Sequence, residues 1–252
     1  MKRRITMPCH MGVATAALLA VAAPLAWSGD ENEIPLDEAE LFFELNHTDG
    51  DLGIHAVIDG EDWKRLVIDA PNDTVLLDVI TRGTLRRHGL TELNFESAEP
   101  SFDELSPHEI FVRFPEGVYD IEAITLEGTE LESELELSHV MPAPPKIVAP
   151  AYTPCNKTPV VVAAPVTIDW NAVTKSHPSI GTPGEVIEVE RYELALELVD
   201  GDLNFFVELP PEVTALKVPA LFTQEPGVVK FEVLVKGENG NRTAVESCFR
   251  IR

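Results

Sequence analysis

The sequence is poor in basic residues, cysteine, tyrosine and tryptophan, and beyond its first 28 residues it has no long apolar run. Lys and Arg number 19 against 43 Asp and Glu, a formal charge of −24. A field of that sign repels phosphate backbones and anionic lipid, so no nucleic-acid partner is expected. No stretch past the N-terminus reaches the ~20 apolar residues a membrane-spanning helix needs, so none is expected there. None of His47, His55, His88, His108, His139 and His177 falls at zinc-ligand spacing with another histidine or a cysteine. No nucleophile elbow, phosphate loop, zinc helix or paired-carboxylate motif occurs, so the chain is read as non-enzymatic, and no cofactor is expected apart from the calcium weighed below.

The N-terminus has the form of a leader. Met1-Lys-Arg-Arg4 is basic, Gly12 to Ala26 is apolar, and Ala26-Trp27-Ser28 puts small residues at a cleavage site. Residues 1–28 are therefore read as a signal peptide, which sends the chain to the periplasm or the medium. A retained anchor is the alternative. The leader takes three basic residues and no acid, which leaves −27 on residues 29–252. It also takes Cys9, so Cys155 and Cys248 remain, and an even count in an exported chain reads as a disulfide.

Proline marks the middle. The run Met141 to Pro154 holds five prolines in fourteen residues, with no helical period. It is expected to be an extended, stiff linker between two β domains, residues 34–140 and 155–252. In the first, Leu41-Phe-Phe-Glu-Leu-Asn-His47 and Leu52 to Ile58 form a hairpin about Thr48-Asp-Gly-Asp51. Pairing His47 with Leu52 would put Glu44 opposite His55. Asp59-Gly-Glu-Asp62 is read as a second turn. Ser106-Pro-His-Glu109 has the form of a capping box with proline at the first helical position, predicting a short helix near 107–114. In Glu130 to Leu137, glutamate alternates with leucine and serine, which suits a half-solvated strand.

Two resemblances follow from these residues. Gly117-Val-Tyr119-Asp-Ile121 resembles the penultimate strand of immunoglobulin-like sandwiches, which implies that the Tyr119 hydroxyl caps a corner. The second half resembles a fibronectin type III domain across about 105 residues. Val166-Thr-Ile-Asp-Trp170 matches strand B with its inward tryptophan, Val189 to Leu198 strand C, Thr214 to Leu221 strand E, and Phe231 to Gly240 strand F. Phe231 stands where that family usually has tyrosine. The implied architecture is all-β, two tandem sandwiches.

Three sets of residues could carry function. Asp49 and Asp51 crowd one turn and Asp59, Glu61 and Asp62 the next. Turn carboxylates can hold calcium, but Asp-Gly is also the commonest turn chemistry. Arg82, Arg86 and Arg87 form the one basic cluster. They could clamp an acidic partner, or pair internally with Glu96, Glu99 and Asp103. The role expected is a binding or structural module that recognises protein or carbohydrate. A calcium-dependent adhesion module and an inhibitor-like sandwich that binds a protease are the alternatives.

Overall fold

The computed structural model describes residues 34–224 and 226–252; the leader read from the sequence, 1–28, lies outside them. The first half contains β1 (Glu38–Asn46), β2 (Asp51–Asp69), β3 (Val75–Ile80), β4 (Leu90–Glu96), α1 (Pro107–Arg113), β5 (Gly117–Thr125) and β6 (Glu130–Leu137). Helix α1 begins as its sequence dictates. The Ser106 hydroxyl accepts from the Glu109 N–H, and the Glu109 carboxylate accepts from the Ser106 N–H.

Strand β2 does not stop at Asp59-Gly-Glu-Asp62. It runs on for 19 residues and bulges there. Before the bulge it pairs with β1 and β4, and after it with β5 and β3. The Asp59 side chain accepts from the Gly60 N–H at 2.9 Å. A Cβ on Gly60 would lie 2.9 Å from a Leu36 methyl, so the bend passes where only glycine clears the core. The sheet folds over on itself, burying Phe43, Leu45, Ile54, Trp63, Leu66 and Ile121 between its halves.

The β1–β2 hairpin is offset by two residues from the expected register. Leu45 pairs with Leu52, Glu44 with Gly53, and Phe42 with His55. The cause is Asn46. Its side-chain oxygen accepts from the N–H groups of Thr48 and Asp49, and its carbonyl accepts from Gly50, which closes a four-residue loop. A shift of two keeps both apolar rows on the core side, but Glu44 no longer faces His55.

The second half contains β7 (Lys146–Ala149), β8 (Val160–Val162), β9 (Thr167–Asn171), β10 (Val189–Leu198), β11 (Asn204–Leu209), β12 (Ala215–Lys217), β13 (Gly227–Gly237) and β14 (Arg242–Ile251). One sheet runs β11-β10-β13-β14 and the other β12-β9-β7. Trp170 from the smaller sheet meets Tyr192 from the larger in an edge contact at 5.5 Å, both fully buried.

The run 141–154 is not a free linker. Met141 is fully buried, and Lys146–Ala149 is the outer strand of the smaller sheet. An edge is where extended, proline-flanked backbone can pair. Thr153 lies along β14, its N–H donating to Ser247 Oγ and its carbonyl accepting from the Cys248 N–H. The second sandwich therefore begins before residue 155.

Nor is that run the only connection. β1 pairs in parallel with β14, Glu44–Asn46 against Arg242–Ala244. This joins the larger sheets into one of 11 strands, and the described residues form one compact unit with two cores. Asn241 pins the seam. Wholly buried, it accepts from the Phe43 N–H at 2.9 Å and donates to the carbonyls of Ser138 and Val140 at 2.7 and 3.1 Å.

Candidate functional site: a charged sheet face across the seam

The joined sheet turns one face away from both cores, and its side chains follow from register. Residues opposed across adjacent strands point the same way. Arg191, Lys236, Arg242 and Glu44 form one row across β10, β13, β14 and β1. Phe206, Ala195, Glu232 and Glu246 form another across β11, β10, β13 and β14.

Ion pairs organise the first row. Lys236, 3% exposed, lies 2.7 Å from Glu40 and 3.0 Å from Glu190. Arg191 binds Glu190, Glu193 at 2.8 Å and Glu208 at 3.2 Å. Arg242 reaches Glu40 at 3.3 Å and lies 3.8 Å above the Phe42 ring, a cation–π contact. Phe42 stacks in turn on His55. The two-residue register offset puts that ring there.

Acids outnumber cations on this face, and their protonation shows it. Burial, then Glu246 and Glu44, push the Glu232 carboxyl up to about 7. Burial, then Glu96 and Asp51, push Glu99 up to about 7. Burial raises Glu44 despite His55 and Arg242, and it lowers His55. His55 and Glu99, both shifted toward their neutral forms, face each other at 3.1 Å.

A second imidazole lies at the seam. His177 Nδ1 accepts from the N–H groups of Ser179 and Ile180, which leaves its proton on Nε2, 3.4 Å from His47 Nδ1. Burial, then His47, lower His177 to about 4. No sequence spacing joins residues 47 and 177; the His47 N–H donates to the Ala244 carbonyl and the His177 N–H to the Met141 carbonyl, contacts between segments far apart in the chain.

The residues singled out from sequence separate. Cys155 and Cys248 are bridged, with Cα atoms 5.0 Å apart. Asp49 accepts from the Asn46 amide at 3.3 Å. Burial, then Asp49 and Glu246, raise Asp51, and one of its oxygens is buried without a hydrogen bond. Among the described residues no three acidic, histidine or cysteine side chains are grouped to hold a metal ion. Arg86 and Arg87 are exposed on a 3₁₀ turn, Arg82 is exposed just before it, and none of the three makes an ion pair among the described residues. Internal pairing with Glu96, Glu99 and Asp103 does not form: Glu99 points to His55 on the neighbouring strand.

No family model and no curated protein matches the chain. Solved structures it is similar to include the chicken CNTN1 FN1-FN3 domains, at 8% identity and TM-score 0.36, covering 88% of this chain and 65% of that one. A two-domain fibronectin type III segment from chicken tenascin covers 85% and 98%, at 13% identity and TM-score 0.27. A tetra-tandem repeat from the extending region of a large adhesion protein covers 85% of this chain, at 9% identity and TM-score 0.29; this chain spans half its length. All three scores fall below 0.5, so the all-β sandwich assignment rests on the ladders and cores of this chain.

Proposed function

We propose that the protein is a non-catalytic binding or structural module acting outside the cytoplasm, in the periplasm or the medium, and recognising protein or carbohydrate through its charged sheet face. The observation that carries this is the seam. The β1–β14 ladder, with Lys236 and Asn241 across it, fixes two sandwiches into one broad surface. The Cys155–Cys248 bridge supports an oxidising compartment. The test pairs a broad hydrolase screen with glycan and peptide arrays. The expected result is specific array binding without turnover. Turnover abolished by a single carboxylate substitution on the sheet face would overturn the reading.

Two lesser features support added roles. The exposed Arg82, Arg86 and Arg87 suit a second contact with an acidic partner, and substituting all three should remove that contact alone. The unpartnered oxygen of Asp51, beside Asp49, suits a calcium-dependent reading. Calcium at a hundred times its dissociation constant would add about 2.7 kcal/mol. An unchanged unfolding midpoint in calcium and in chelator would remove it.

A further inference from the structure

The row Phe206, Ala195, Glu232, Glu246 forms a groove on the second sandwich, and this inference rests on the binding-module reading above. Phe206 stands on β11, which has no partner on its outer side among the described residues, and it is 60% exposed. The Ala195 methyl is the low point between two taller neighbours. Beyond it the Glu232 carboxylate makes no hydrogen bond or ion pair among the described residues, while Glu246 is taken by Lys230. The groups acting on Glu232 are the acids Glu246, Glu44 and Glu193 and the single cation Lys230, and Glu197 also lines the groove.

Three features select the ligand. A ring and a carboxylate two strand spacings apart, about 10 Å, leave room for one extended side chain over Ala195. A carboxylate crowded by acids gains from a positive charge, whereas a sugar hydroxyl leaves the like-charge repulsion in place. A bare metal ion is poorly served, because the described residues offer no three-ligand group. An aromatic face beside a carboxylate suits a guanidinium or ammonium head with an apolar stem. We propose that this groove takes an arginine or lysine side chain from an extended basic segment of a partner protein, its head between Glu232 and the Phe206 ring.

The test titrates an acetylated, amidated Gly-Arg repeat peptide, labelled for fluorescence anisotropy, into the purified protein. Glu232→Gln and Phe206→Ala are each expected to weaken binding about three- to tenfold. Glu134→Gln removes the same charge from the exposed side of β6 and is expected to change it less than about twofold. Glu232 must ionise to hold the cation, so affinity should rise about tenfold from about pH 6 to about pH 8, and Glu232→Gln should flatten that slope. Equal losses from Glu232→Gln and Glu134→Gln would mean that the overall charge alone attracts the peptide, and would overturn the proposal. So would full affinity in Phe206→Ala and Glu232→Gln while both variants remain folded. Binding of glycans without the peptide would overturn the groove assignment while leaving the binding module standing; no ligand on any array would overturn both.

Discussion

The Lys236 ammonium, on β13, lies 2.7 Å from a carboxylate oxygen of Glu40, on β1, 196 residues away in sequence. It is nearly solvent-free, and Glu190 is its other partner. Glu40→Gln should therefore destabilise by about 2 kcal/mol, because a buried cation loses half its compensation. Lys236→Met should cost less, because the two acids it abandons are partly exposed. Urea unfolding of both variants measures this; a larger loss in Lys236→Met would contradict the argument.

The disulfide closes a loop with a sequence separation of 93. Constraining an unfolded loop of that length is worth about 4–5 kcal/mol in the chain-entropy model. Replacing both cysteines with serine should lower stability by about that much. The second core should unfold first, because Cys248 and the strap at Thr153 belong to it. Hydrogen exchange resolved by half would report the order.

Tyr119 is buried, and its hydroxyl donates to the Pro115 carbonyl at 3.0 Å, the corner bond expected from the resemblance. Tyr119→Phe should cost about 1 kcal/mol. Phe231→Tyr should not gain the same amount. Phe231 packs against Phe249 in the core, where an added hydroxyl would need a partner.

Two groups make opposite contributions to stability on acidification. The folded state raises Glu232 to about 7 from an ordinary 4.5, so it binds the proton better than the unfolded chain. Its penalty is full above about pH 7 and is relieved as pH falls toward about 4.5. Glu232→Gln should thus stabilise by about 2 kcal/mol at about pH 8, and the gain should fade below about pH 5. His177 is held near 4 against an ordinary 6.5, so its contribution is present above about 6.5 and is lost as pH falls toward 4. Unfolding midpoints of Glu232→Gln and His177→Asn against the unaltered chain, across that range, would separate the two.

Local chemistry made much of the fold legible. The Ser106–Glu109 capping box, the inward Trp170, the Tyr119 corner and the limits of β10 each depend on a few neighbouring residues. The hairpin register was missed because one Asn46 side chain closes a longer loop than Asp-Gly suggests. Asp59 to Asp62 looked like a turn because a bulge uses the same residues. The seam left no local trace: three parallel rungs between strands almost 200 residues apart produce no pattern in either strand. The face built on it, with Lys236 beside Glu40 and His47 beside His177, was equally hidden. The cysteine pair could be read because counting needs no geometry.

The parallel ladder between β1 and β14 has a mechanical consequence. Glu38 starts the one strand and Ile251 ends the other, and the two run in the same direction side by side. Tension that draws those two ends apart pulls along the strands in opposite senses. The rungs between Glu44–Asn46 and Arg242–Ala244 then carry load together, in shear, with the Lys236–Glu40 contact sharing it. Peeling would break such bonds one at a time; here they must yield at once. Along that line the molecule is built as a clasp.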